Sequence, residues 1–216
     1  MGDENGHLMG KRRHASFRSC NASGYMTDLL EIQAENPSLH VLFVPGNPGV
    51  VAFYTDFLES LYELLGGTAS VTAIGHTGHT KKNWKHGRLF SLQEQIDHKM
   101  DFIKHGLQNT EVPILLVGHS IGSYIAIELF RRSLDKVIYC IVLYPFLEVN
   151  KESSKQSHIR QITACPFKGL LKNSLAPKGK YRVPCQLLKG CAYNRVEIYK
   201  CNPCDKNCGR LAQGFL

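Results

Sequence analysis

No apolar run in this chain of 216 residues is long enough to span a bilayer: the longest, Val137 to Leu147, is well short of the roughly 20 residues a transmembrane helix needs. The N-terminus, Met1-Gly2-Asp3-Glu4-Asn5, likewise lacks the apolar stretch of a secretory signal. Cysteine is nearly missing from the first three quarters of the chain, where only Cys20 and Cys140 occur, which argues against a disulfide framework there. These scarcities point to a soluble protein of a reducing compartment. Acidic residues are scarce only at the end. Residues 149–216 hold 13 Lys and Arg against 3 Asp and Glu, whereas residues 1–148 hold 13 against 15, so the net charge of +8 belongs to the tail. The other six cysteines, Cys165, Cys185, Cys191, Cys201, Cys204 and Cys208, lie in that tail too. With 43% hydrophobic residues the length suits one α/β domain and little else.

From Leu39 to Pro145, short apolar runs alternate with longer amphipathic stretches, the pattern of β-α-β units in a parallel sheet. Four buried strands are predicted at Val41–Val44, Ser70–Ile74, Ile114–Val117 and Val137–Leu143, each a near-continuous apolar run of the kind covered on both faces. Three helices are predicted between and after them. Phe53–Leu65 carries an apolar stripe of Phe53, Phe57, Leu61 and Leu64 or Leu65 and stops at Gly66-Gly67. Leu92–Leu107 carries Leu92, Ile96, Met100 or Ile103, and Leu107; Ile121–Leu134 follows the third strand. Thr27–Gln33, ahead of the turn Asn36-Pro37, reads as an antiparallel strand leading into the sheet. Residues 1–24, polar and rich in glycine and basic residues, are expected to be flexible. Residues 164–216 have scattered prolines and no sustained period, so they are expected to be irregular and to leave the strand at Val137–Leu143 as an open edge.

Gly118-His119-Ser120-Ile121-Gly122 reads as G-x-S-x-G between the strand Ile114–Val117 and a helical pattern. That is a nucleophile elbow, in which a sharp strand-to-helix turn exposes a strained serine and glycines on either side let the turn close. Ser120 is therefore the candidate nucleophile, with Gly118 and Gly122 as the elbow glycines. In such sites one oxyanion donor is the backbone N–H of the residue after the serine, here Ile121, and the second comes from a loop after an earlier central strand. Pro45-Gly46-Asn47-Pro48-Gly49 is that loop. Asn47 is the choice within it, since Pro48 has no N–H and Gly46 serves the turn. His119 reads as structural because neighbouring side chains on a sharp turn diverge. His76 and His79 read as loop residues rather than metal ligands. Cys201, Cys204 and Cys208, with Cys191 or Cys185, are better ligands by type but irregular in spacing. Neither a metal nor another cofactor is expected.

These motifs, with Ala52-Phe53-Tyr54, Gly75-His76-x-x-His79, Gln95-Ile96-x-His98-Lys99, Ser123-Tyr124 and Tyr144-Pro145, resemble the lipid droplet-associated hydrolase family of the α/β-hydrolase superfamily over about residues 25–163. The resemblance implies an α/β-hydrolase-type, mostly parallel sheet with flanking helices. It also implies a serine hydrolase, a carboxylic ester hydrolase of the lipase or sterol esterase kind, acting on sterol esters or acylglycerols. Its place would be peripheral, on the cytosolic face of lipid droplets and the endoplasmic reticulum. Family members continue through a membrane-binding insertion and two further strands, whose loops bring the triad acid and then the histidine. Here one histidine, His158, follows Ser120, and it comes too soon after the last strand; Asp135, Glu148 and Glu152 are not on a comparable loop, and Asp205 falls after His158. The chain therefore reads as a truncated or alternative form, its domain (residues 25–163) incomplete at the C-terminal side and catalytically impaired. The alternative reading is a non-catalytic interaction product whose basic tail binds an acidic partner or membrane surface by charge. Nucleic acid is not an expected partner, because the tail carries no recognisable module.

Overall fold

The computed structural model describes residues 14–79, 88–107, 111–133, 135–147, 154, 196–200 and 209–214. The chain enters through a hairpin: β1 (Ser16–Ala22) and β2 (Tyr25–Ile32) pair antiparallel across Ser23 and Gly24, whose φ angles of 52° and 80° are the left-handed pair of a tight hairpin turn. Residues 16–22 thus correct the expectation of a flexible segment through residue 24. A Ser-Gly turn fixes their register, and Arg18 pairs with Glu31 across the strands.

The four predicted apolar runs form the centre of the sheet as β3 (Leu39–Val44), β4 (Ala69–Ile74), β5 (Ile114–His119) and β6 (Val137–Leu143). They run parallel in the order β4-β3-β5-β6, and β2 joins β4 antiparallel, as expected for its segment. Beyond β6 lie β7 (Val196–Lys200) and β8 (Gly209–Gly214), each antiparallel to its neighbour. The tail, expected to be irregular, therefore contributes two strands. They meet the free N–H and C=O groups along β6, which a bare sheet edge leaves without partners.

Among the described residues, three helices cover the faces. A 3₁₀ turn at Val51–Tyr54 leads into α1 (Thr55–Leu64), which ends before Gly66 and Gly67, both left-handed with φ of 65° and 68°. α2 (Leu92–Asp101) starts at a capping box in which Ser91 and Glu94 satisfy each other's backbone amides, and it runs into a π-type turn at Phe102–Gly106. α3 (Ile121–Arg132) follows β5 directly. α2 and α3 pack with Leu42, Val44, Leu116, Cys140 and Val142 on one face, and α1 with Val41, Phe43, Val71 and Val117 on the other. No helix among the described residues is long and apolar enough to cross a membrane.

The buried face of α1 keeps part of the predicted stripe, since Leu61 and Leu65 pack against the core, and departs from it elsewhere. Val51, Leu58 and Tyr62 face the sheet, while Phe53, Phe57 and Leu64 are 43%, 42% and 85% exposed. The apolar arc of this segment is wider than one stripe, and the 3₁₀ turn ahead of the helix shifts the helical phase, so packing rather than periodicity decides which part of the arc is covered. Leu58→Ala is accordingly expected to lower the unfolding free energy by about 2–5 kcal/mol. Leu64→Ala should stay within about 0.5 kcal/mol of the parent. Urea unfolding of the two variants side by side measures both.

Candidate active site

The strand order sends the chain from β3 to β4 on one side and back across β3 to β5 on the other, which opens a crevice at the carboxyl ends of β3 and β5. Ser120 stands there, between β5 and α3, with φ 54° and ψ −121°. A non-glycine residue in that region carries roughly 1–3 kcal/mol of strain, which the surroundings must hold. They do so through three backbone hydrogen bonds. The Ser120 N–H donates to the Leu143 carbonyl at 3.0 Å, and the Ser120 carbonyl accepts from Ser123 N–H at 3.0 Å and from Phe146 N–H at 3.1 Å. Ser123 adds a side-chain bond, its hydroxyl donating to the Gly118 carbonyl at 2.9 Å.

The two elbow glycines are required by backbone contact. A Cβ on Gly118 would lie 2.4 Å from the Gly122 carbonyl oxygen, and one on Gly122 would lie 2.3 Å from the carbonyl oxygens of Val44 and Pro45. α3 therefore begins against the end of β3. That brings the loop after β3, with its cis Asn47–Pro48 bond, to the serine: a Cβ on Gly46 would be 3.1 Å from the Ser120 Cβ. Within the loop, Gly46 N–H donates to the Tyr54 hydroxyl at 3.0 Å and Gly49 N–H to His79 Nδ1 at 2.9 Å. Pro48 has no N–H, so Asn47 carries the loop's amide that none of these bonds engages. Ile121 is the first residue of α3, where an amide has no intrahelical partner. The fold thus brings the segments of Ser120, Asn47 and Ile121 together.

His119 is half-buried, its pKa lowered by burial, and its Nδ1 lies 2.9 Å from the Tyr54 hydroxyl. Asp135 sits just before β6, at the opposite end of the parallel strands from Ser120. His158, Glu148, Glu152, Asp205 and the six tail cysteines lie outside the described residues. Among the described residues no three His, Cys, Asp or Glu side chains come together as metal ligands.

Behind the loop lies a buried basic cluster. Lys99 is fully buried and donates to the Gly75 carbonyl at 3.0 Å and Gln95 Oε1 at 3.1 Å. Gln95 in turn accepts from Thr77 N–H and donates to the Thr77 carbonyl, so α2 grips the loop after β4. That loop holds the first: His76 N–H donates to the Gly49 carbonyl at 3.0 Å, and Gly49 packs flat on the His76 ring. Burial pushes Lys99 down to about 7 and His98 down to about 4, the Lys99 charge adding to the latter. Tyr54, Gln95 and Lys99 stand in the motifs quoted above, but nothing in their spacing marks a fully buried lysine or a hydroxyl directed at Gly46.

A family model described as lipid-droplet associated hydrolase matches residues 37–175. The chain is 32% identical over 163 residues to the lipid droplet-associated hydrolase of Homo sapiens, covering 65% of this chain and 50% of that protein. It is 35% identical over 125 residues to that of Drosophila melanogaster, covering 52% and 40%. The chain spans about half the length of the human relative. Among solved structures, a membrane phospholipase A described as a bacterial virulence factor aligns with TM-score 0.56 at 17% identity, over 68% of this chain and 46% of the other. The haloalkane dehalogenase DatA from Agrobacterium tumefaciens aligns with TM-score 0.53 at 17% identity, over 72% and 51%. These structural likenesses show the α/β-hydrolase fold alone.

The buried lysine predicts a pH dependence of stability. Its ordinary value is 10.5 and its folded value about 7, so between those values the unfolded chain holds a proton that the folded chain has released. Stability therefore rises with pH across that window, by up to about 1.4 kcal/mol per pH unit. Lys99→Met is expected to remove this rise, and urea titrations of both proteins from pH 7 to 10 test it.

Proposed function

The chain belongs to the lipid-droplet associated hydrolase family, and from that premise we propose that its crevice is a serine esterase site. Ser120 is the nucleophile and the amides of Asn47 and Ile121 form the oxyanion hole. The substrate class is a lipid ester, a sterol ester or an acylglycerol, met at the surface of a lipid droplet or of the endoplasmic reticulum. The observation that carries this reading is the left-handed serine at the β5–α3 turn, packed against the glycine-rich loop after β3.

The chemistry follows from that placement. Ser120 Oγ attacks the ester carbonyl, and the negative charge that develops on the carbonyl oxygen is met by the Asn47 and Ile121 amides, each such donor being worth about 10²–10³ in rate. A histidine must take the hydroxyl proton and return it to the leaving alcohol. His158 is the histidine that follows Ser120 in the chain, and its position in sequence is unlike the family's. We therefore propose that these 216 residues by themselves hold the nucleophile and the oxyanion hole without an efficient base. The basic residues of the tail supply a second attribute, attraction to an anionic membrane surface, which high salt should weaken.

A fluorophosphonate probe reads serine activation without a known substrate. The expected outcome is slow labelling of the purified chain that disappears in Ser120→Ala, at a rate about 10⁴-fold or more below that of a full-length relative. Labelling that survives Ser120→Ala would remove the serine from its role. Labelling as fast as the relative's would mean that an efficient base is present and make His158→Ala the next variant.

A further inference from the structure

The two amides assigned to the oxyanion hole sit on different segments, one after β3 and one after β5. Neither segment holds the other by a direct backbone hydrogen bond among those described. Beyond the close packing at Gly122 and Gly46, a side chain from a third place joins them by hydrogen bonds, Tyr54 at the end of the 3₁₀ turn. Its hydroxyl receives the Gly46 N–H at 3.0 Å and stands 2.9 Å from His119 Nδ1. Gly46 precedes the peptide that carries the Asn47 N–H, and His119 precedes the serine whose own peptide carries the Ile121 N–H. The clamp thus grips both donor-bearing segments one residue upstream of the donor or nucleophile.

We infer that Tyr54 is a positioning residue of the oxyanion hole, which fixes the Asn47 amide relative to the Ser120–Ile121 turn by bridging Gly46 to His119. This inference rests on the serine-esterase reading for its kinetic consequence, though not for its geometry.

A phenol has one proton and two lone pairs. With the Gly46 N–H occupying a lone pair, the Tyr54 proton is free to go to His119 Nδ1, which leaves the imidazole proton on Nε2. The surroundings favour those protonation states: burial raises Tyr54 and lowers His119, so the phenol keeps its proton and the imidazole stays neutral. The Tyr54 ring is itself held, stacked at a tilt on Phe43 of β3 with centroids 4.6 Å apart, so the hydroxyl is aimed by the core rather than by the loop it holds. The fit leaves no slack, since a Cβ on Gly46 would lie 2.9 Å from His119 Nδ1. At the far end of the same loop, His79 and the His76 amide grip Gly49, so Asn47 lies between two anchored points.

Tyr54→Phe removes one oxygen and keeps the ring in its packing. Two measurements on the full chain separate the inference from the reading it rests on. The first is hydrogen exchange of the Gly46 amide by NMR, which needs no activity. Protection of that amide is expected in the parent and is expected to be lost in Tyr54→Phe, while the β3 and β5 amides keep theirs. The second is fluorophosphonate kinetics. A displaced donor costs about 10² in the maximal labelling rate with little change in the concentration for half-saturation, because binding of the probe's alkyl portion is untouched. A Gly46 amide equally protected in Tyr54→Phe, or unprotected in the parent, overturns the clamp. So does a maximal labelling rate unchanged in Tyr54→Phe when the parent is labelled. A parent that is not labelled at all fails the esterase reading alone, and the Gly46 amide then decides the clamp.

Discussion

Where α3 meets the end of β3, the molecule has room for backbone and nothing else. A Cβ at Gly122 would lie 2.3 Å from two carbonyl oxygens of residues 44 and 45, and one at Gly118 would reach the first turn of the same helix. This contact is what lets a helix begin on the residue after a strained serine, since the helix start is pressed between β5 and β3 instead of splaying outward. The strain at Ser120 is then held by bonds to Leu143 and Phe146 at the end of β6. The central strands and the proposed nucleophile are therefore parts of one packing arrangement, and the sheet must be assembled before the serine can be held.

From that contact the rest of the site follows by adjacency. The loop after β3 cannot move away from the serine without opening the Gly122 contact, and its far end is held by the loop after β4, which the buried Lys99 and Gln95 hold from α2. The result is a set of three segments stacked on one another at the carboxyl ends of the strands, the elbow held to the loop after β3 by packing and through Tyr54, and that loop held to the loop after β4 by hydrogen bonds. Burying a lysine with no carboxylate beside it among the described residues costs stability. Its two acceptors are the Gly75 carbonyl and Gln95, so that cost is borne at the loop that supports the oxyanion segment.

Much of this was legible in the sequence because the central strands are covered on both faces and the elbow glycines sit at fixed spacing around Ser120. The four parallel strands, the antiparallel entry at β2 and the helix after the serine all lie where their patterns predict. The misread parts share a physical reason, which is that neighbours decide them. β1 is an exposed edge whose place is set by a two-residue turn at Ser23-Gly24. β7 and β8 are short strands, β7 placed by pairing with β6 and β8, the sheet's edge, by pairing with β7. The apolar arc of α1 is wider than one stripe, and packing on Phe43 and Val71 decides which part of it is covered. Lys99 on α2 gives no sign in its spacing that it is buried whole, and the Tyr54 hydroxyl gives no sign that it meets Gly46. The acid and histidine of the proposed triad have no counterpart in the described residues, and sequence order alone argues against His158 and Asp205.

In the proposed site a serine and two backbone amides converge on one oxyanion position. The most direct test is an NMR titration with a phenylboronic acid, which adds to a serine hydroxyl as a charged tetrahedral adduct and needs only weak activation. Saturable downfield shifts of the Asn47 and Ile121 amide protons together, abolished in Ser120→Ala, are expected. Shifts elsewhere with those two amides unmoved, or the same shifts in Ser120→Ala, would contradict that convergence.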